Sequence, residues 1–252
     1  MSERMIGIMG ALPEEINGVI ALLDHKEEQR IGKRTYYTGT INNQKVVVVY
    51  SRIGKVAAAA TVATLLLKFK VTELIFTGVA GGISSALKIG DIVIGSHLVQ
   101  HDMDAFPLFP KFEIPLLGKS LFEADKALIE LSTTAIENIL SNENLHQVIS
   151  TEDLEEFKIQ QPKLHIGLIA SGDQFFRDVN QKNNLTTQLN DTLCVEMEGA
   201  AVAQVCYEFN IPFVIIRTIS DEADHHSTVD FTKFTEKISN IYSIEIIKNI
   251  IR

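Results

Sequence analysis

The chain has 252 residues, 46% hydrophobic and 22% charged, with a net charge near −9. This is an ordinary globular composition with enough apolar material for a sizeable core. The acidic balance argues against a nucleic-acid surface, which usually carries a basic patch, and no apolar run approaches the ~20 residues of a membrane span.

In chain order, "MIGIMG" (5–10) reads as a short strand ending in glycine, followed by a helix over 13–23 with Pro13 in its first turn. Residues 34–51 read as a hairpin turning at Asn42-Asn43. The Ala-rich stretch 54–69 predicts a helix apolar on nearly every side, hence buried against a sheet. Next come a buried strand running into a Gly-rich turn, "ELIFTGVAGGISS" (73–85), and a further strand over 90–102. Residues 103–120 carry three prolines and read as a long ordered loop, of the kind that is usually functional inside a compact domain. A helix over about 124–140 and a polar stretch of undefined structure over 141–162 precede the strand "HIGLIASGDQFF" (165–176). Residues 193–210 are strand then helix, 212–224 a buried strand, and 231–251 a closing helix.

No repeat or linker interrupts this series, so residues 1–252 read as one domain. Near-continuous apolar strands flanked by helices predict a covered sheet with a substantial parallel component. In such sheets ligands gather beyond the carboxyl ends of strands. Five ends fit that rule: Gly10, Thr77-Gly78, Ser171-Gly172, Glu196 and Ser220-Asp221. Cys194 and Cys206 lie in apolar stretches and read as reduced core cysteines of a cytoplasmic protein.

The residues at these ends each admit a plain structural reading. "GVAGGIS" (78–84) is either a structural turn or a site of close backbone approach to a ligand. It lacks the spacing of a dinucleotide fingerprint or a phosphate loop. Glu14 and Glu15 open a helix, where acids complement the dipole. Glu196 and Glu198 flank Met197 at a strand-to-helix junction, and alternation sends both carboxylates one way. Asp221 ends the most hydrophobic strand and is either a turn residue or a functional acid. Arg217, among Ile and Thr in that strand, requires a buried anionic partner. His101-Asp102 and His225-His226 match no familiar zinc spacing, so no metal is expected.

Taken together, "IGIMGALPEEI", "SRIGKVAAAATVATLLL", "TGVAGGIS", "KIGDIVIG", "SGDQF", "VEMEGAAVAQVC" and "PFVIIRTISDEAD" span nearly the whole chain in this order. They resemble the 5′-methylthioadenosine/S-adenosylhomocysteine nucleosidases of the purine nucleoside phosphorylase-like superfamily. The resemblance implies an α/β fold, a three-layer α/β/α sandwich around a mixed sheet. It also implies a homodimer, no metal or organic cofactor, and hydrolysis of the N-glycosidic bond of a small-molecule nucleoside, releasing adenine and a 5′-thio-ribose.

By resemblance, Asp221 protonates the purine with Ser220 orienting it, Glu15 activates water, and Glu198 accepts hydrogen bonds from the ribose hydroxyls. Such chemistry needs a carboxyl that keeps its proton for the leaving base, and counter-charge for an oxocarbenium-like sugar. The same resemblance assigns Phe175 to stacking on adenine, Phe176 to its edge, Met197 to the face of the ribose, and Ala80-Gly81 to the lining. Leu12 and Ile53 wall the 5′ pocket, with Phe106 reaching in from a partner subunit. Val79, Phe176, Arg52 and the loop 101–118 depart from the family pattern and bear on substrate range. Arg52 is the one feature that favours a phosphate-dependent phosphorylase. The residues are also compatible with a related hydrolase for 5′-deoxyadenosine or 6-amino-6-deoxyfutalosine, and with a non-catalytic nucleoside-binding module.

Overall fold

The computed structural model describes residues 3–221, 223 and 231–251, with the backbone alone at Asn142. The chain opens with β1 (Ile6–Gly10), α1 (Pro13–Ala21), β2 (Asp24–Ile31), β3 (Arg34–Ile41), β4 (Gln44–Tyr50) and α2 (Lys55–Lys68). It continues through β5 (Glu73–Gly82), β6 (Ile92–Gln100), β7 (Leu121–Glu123), α3 (Lys126–Leu140), α4 (Asn142–Val148) and α5 (Thr151–Glu156). The last part holds β8 (Leu164–Ser171), α6 (Val179–Gln188), β9 (Thr192–Glu196), α7 (Gly199–Glu208) and β10 (Phe213–Asp221). It ends in α8 (Phe231–Phe234), a wide π-turn (Thr235–Ser239) and α9 (Asn240–Ile250), where the sequence predicts one uninterrupted helix.

Among the described residues, ten strands form one mixed sheet. Strands β1, β4, β5 and β10 run parallel to their neighbours in the centre, while β2–β3–β4 is an antiparallel meander at one edge. At the other end the sheet curls back on itself. Strand β10 pairs with both β5 and β6, β6 with β8, β8 with β9, and β9 again with β5. This ring brings the carboxyl ends of β5, β8, β9 and β10 to a common region beside that of β1.

The strand sequences explain the layers. With no polar face, alternate side chains must be covered on both sides. Ile6 and Ile8 of β1, Val46 and Val48 of β4, and Val214 and Ile216 of β10 pack with α1, α3 and α9. Their alternates Met9, Val47, Val49 and Ile215 pack with α2 and α7 on the opposite face. The result is helix, sheet, helix.

Helix α2 departs from its expected burial on nearly all sides. It buries Ala58, Val62, Leu65 and Leu66, yet Val56 is 83% and Leu67 58% exposed. The helix needs only one stripe to cover the sheet, and the opposite stripe stays apolar and uncovered.

The β3–β4 turn falls at Asn42-Asn43 as expected, and both residues have positive φ (50° and 64°). Asparagine tolerates this left-handed geometry, whereas a β-branched residue does not. Asn43→Val is therefore expected to lower stability by about 1–2 kcal/mol, read as a reduced urea midpoint with an unchanged slope.

Candidate active site

The carboxyl end of β1 delivers the first acid. Pro13 starts α1 immediately, so Glu15 occupies its first turn and folds back on the chain. One carboxylate oxygen accepts the amides of Ala11 (2.6 Å) and Leu12 (2.9 Å), and the other accepts the amide of Val79 (3.2 Å). The residue is 2% exposed. Burial pushes its pKa up, against the opposing influence of Arg217 and the three amides. The helix-capping role and a place in the cleft are thus held by the same side chain.

Glycine makes room for these acids. A Cβ on Gly78 would lie 2.8 Å from the Glu15 carboxylate, and one on Gly81 would lie 3.0 Å from that of Asp221. Residues 78–82 continue β5 rather than forming a loop, so the glycines serve close approach of side chains across the strand.

Arg217 finds the anionic partner its burial demands. At 1% exposure its Nη2 donates to Glu196 at 2.7 Å, Nη1 donates to the carbonyl of Ile216 at 3.1 Å, and the guanidinium lies 4.1 Å from the centre of the Phe76 ring. Glu196 also accepts the hydroxyl of Ser171 and the amides of Glu198 (3.1 Å) and Gly199 (2.8 Å). Ser171 in turn accepts the amide of Ala200 at 2.7 Å. Glu196 and Ser171 therefore cap α7, and Glu196 and Glu198 both border the cleft as expected, though with different partners. The first carboxylate is held by the arginine and the helix end, while the second accepts the amide of Gly54 at 2.8 Å. Burial above all, then the nearby charge of Glu196, pushes Glu198 up to about 8. One guanidinium cannot neutralise three buried carboxylates. Glu196 takes the ion pair, and both Glu15 and Glu198 are raised by burial.

At the end of β10 the pairing with β5 shifts register between Ile219 and Asp221. This irregularity breaks the alternation that would send Ser220 and Asp221 to opposite faces, and both line the cleft. The Ser220 hydroxyl donates to one Asp221 oxygen at 2.8 Å and the amide of Ala223 donates to the other at 2.8 Å.

These residues surround a cleft enclosing about 510 Å³ of space, part of it open to solvent. Glu15, Glu198, Asp221, Ser220, Met197, Ala80, Gly81, Phe175, Leu12 and Ile53 all border it. An adjoining hollow shares Gly81, Phe175, Met197 and Asp221 with the cleft and adds Phe176, Gln174 and Ala223. The space is thus two-lobed, with Asp221 at the junction. Phe106 is the exception among the expected residues, being 76% exposed and outside both lobes of its own chain. Phe231, at the start of α8, also borders the cleft. No sequence signal marks it, because residues 224–230 separate it from the β10 motif. Val79 and Val195 add apolar wall.

No cluster of three metal-ligating side chains occurs among the described residues. Burial holds the His101 imidazole below its usual range, and it sits edge-on to Phe176. His225 and His226 lie outside the described residues.

The phosphorylase superfamily model matches residues 5–252. A 5′-methylthioadenosine/S-adenosylhomocysteine nucleosidase of Anoxybacillus flavithermus is 35% identical over 96% of both chains. The crystal structure of the Neisseria meningitidis nucleosidase of the same name, in complex with methylthio-immucillin-A, superposes with a TM-score of 0.84 at 28% identity over 98% of each chain. A futalosine hydrolase of Helicobacter pylori gives a TM-score of 0.81 at 34% identity, covering 98% of this chain and 97% of that one. The chain belongs to the phosphorylase superfamily and, within it, to the 5′-methylthioadenosine/S-adenosylhomocysteine nucleosidase family. It is an N-glycosyl hydrolase.

The elevated Glu198 pKa carries a stability consequence. Between its ordinary value of 4.5 and about 8, the native chain holds a proton that the unfolded chain has released. Stability from this group therefore falls as pH rises through that window. Glu198→Gln removes the dependence, so its Tm relative to wild type should climb between pH 5 and pH 8.5. A constant difference would contradict the assignment.

Proposed function

We propose that the protein hydrolyses the N-glycosidic bond of 5′-methylthioadenosine and S-adenosylhomocysteine, releasing adenine and the thio-sugar. The observation that carries this reading is the convergence of Glu15, Glu198 and Asp221, from three distant parts of the chain, on one two-lobed cleft. Its second lobe is bordered by Phe175 and Phe176 and suits a flat purine. Leu12, Ile53 and Val79 give the first lobe an apolar wall suited to a thioether.

In this reading Asp221, at the junction of the lobes, protonates N7 of the departing base. The Ser220 hydroxyl beside it can donate or accept as the carboxyl changes state. Phe175 stacks on the purine and Phe176 meets its edge, with Ala80-Gly81 close to base and sugar. Glu198 accepts hydrogen bonds from the ribose hydroxyls, and Met197 packs under the ring. Glu15 takes a proton from the attacking water; burial makes its carboxylate more basic than usual, as a general base at neutral pH requires. The Glu15 carboxylate also stabilises the positive sugar of the transition state.

Phosphorolysis is disfavoured by the placement of Arg52. Its guanidinium donates to the carbonyl of Lys33 at 2.7 Å and does not border the cleft. Arg217 is engaged by Glu196, and Glu15 would repel a phosphate. The likeness to a futalosine hydrolase supports the same bond cleavage with a different 5′ group as an additional activity.

We further propose a homodimer in which Phe106 completes the neighbouring 5′ pocket. Support comes from the exposed apolar stripe of α2 (Val56 and Leu67) and the exposed Ile53, Phe106, Leu108 and Leu116. No helix among the described residues is long and apolar enough to cross a membrane. A cytoplasmic role in sulfur salvage and clearance of S-adenosylhomocysteine fits the proposed products.

The test is adenine release from 5′-methylthioadenosine and S-adenosylhomocysteine with and without phosphate. Phosphate-independent release is expected, and strict phosphate dependence or no release would overturn the reading. Asp221→Asn should lower kcat by roughly 10²- to 10⁴-fold while keeping most nucleoside affinity. Near-wild-type turnover would remove Asp221 from its role.

A further inference from the structure

Lys55, Asp102 and Asp173, which the proposed chemistry leaves unused, form a closed polar ring at the start of α2. The Lys55 Nζ donates to one oxygen of Asp102 at 2.5 Å, and the other Asp102 oxygen accepts the amide of Asp173 at 2.9 Å. Asp173 closes the circuit by accepting the amide of Lys55 at 2.9 Å. Lys55 also donates to the Gln100 side chain at 3.2 Å, which is tied at 2.7 Å to Gln204 on α7. The Lys55 and Asp102 side chains are only 15% and 24% exposed, so these charge-assisted bonds are partly shielded from water.

Each member of the ring sits next to a part of the cleft. Gly54, adjacent to Lys55, donates its amide to Glu198, and Ile53 before it borders the first lobe. Asp173 precedes Gln174-Phe175-Phe176, which border the second lobe. Asp102 begins the loop that carries Phe106. Gly54 has φ of 100°, and a Cβ there would lie 3.2 Å from the Asp173 carboxylate, so glycine suits this close junction.

We infer that Lys55 is a positioning residue. Through Asp102 and Asp173 it locks the base-binding segment 173–176 to the Gly54 amide that aims Glu198, so that base and sugar are gripped in fixed relation. The cluster pairs a cation with carboxylates that would otherwise repel each other, since Asp102 and Asp173 meet at the same ammonium, the second at 4.0 Å. Burial alone would raise the Asp102 pKa, yet the Lys55 hydrogen bond and the Asp173 amide hold it below its usual range. A lysine that merely solubilised the helix would have no such partners.

This inference rests on the nucleosidase reading for its catalytic consequence but not for its structural one. The experiment compares Lys55→Met, Lys55→Arg and Asp102→Asn with wild type by hydrogen exchange and by adenine release from 5′-methylthioadenosine. Lys55→Met should raise amide exchange in both 53–56 and 172–176 and lower kcat/KM roughly tenfold or more, with Lys55→Arg recovering most of both. Asp102→Asn should reproduce the loosened exchange and serves if Lys55→Met does not fold. Unchanged exchange in 172–176, kcat/KM within threefold of wild type, or an arginine variant as impaired as the methionine one would overturn the inference. Absence of adenine release by wild type would refute the nucleosidase reading instead, and the exchange data would still decide the ring.

Discussion

The Arg217–Glu196 pair is the interaction on which the site's architecture depends. A buried ion pair is weak evidence of stability, because desolvation offsets much of the attraction, but removing one partner leaves an uncompensated charge. Here the pair has a directional effect as well. Glu196 is fixed by Arg217 on one side and by the first amides of α7 on the other. The chain must therefore turn at Met197, and Glu198 is presented to the cleft. The same guanidinium opposes the burial-driven rise in the Glu15 and Glu198 pKa values. One cation thus moderates two acids of the cleft.

Backbone geometry supplies the rest. Closure of β5, β10, β6, β8 and β9 into a ring gathers strand ends that an open sheet would spread along an edge. Glycines at 78 and 81 let carboxylates approach the β5 backbone. The register shift in β10 turns two consecutive residues, Ser220 and Asp221, toward the same space. Each feature lets polar groups reach the cleft while the sheet remains covered by apolar helices on both faces.

Much of this is legible in the sequence because it rests on period and composition. The unbroken apolar runs of β4, β5 and β10 signal a sheet covered on both sides, and Asn42-Asn43 signals the hairpin. The need of Arg217 for an anion follows from its apolar neighbours. Strand β2, "DHKEEQRI", is invisible because its side chains are almost all exposed; charged edge strands resist pairing with other chains but carry no alternation. Helix α6 buries only Leu185 among its residues and shows no apolar stripe. The different partners of Glu196 and Glu198 are equally hidden, since alternation places them together and only contacts with Arg217 and Gly54 distinguish them. The register shift at Ser220 and the ring around Lys55 depend on contacts between segments far apart in the chain, which no local pattern encodes.

The central claim is that acids arranged around one buried guanidinium converge on a single nucleoside. The most direct measurement is a crystal structure with a non-cleavable carbon-linked analogue of 5′-methylthioadenosine bound. The expected result places the purine N7 side within hydrogen-bond distance of Asp221, the ribose hydroxyls on Glu198, and an ordered water between Glu15 and the anomeric carbon. An analogue bound with its base against Glu15, or seated outside the cleft, would contradict it.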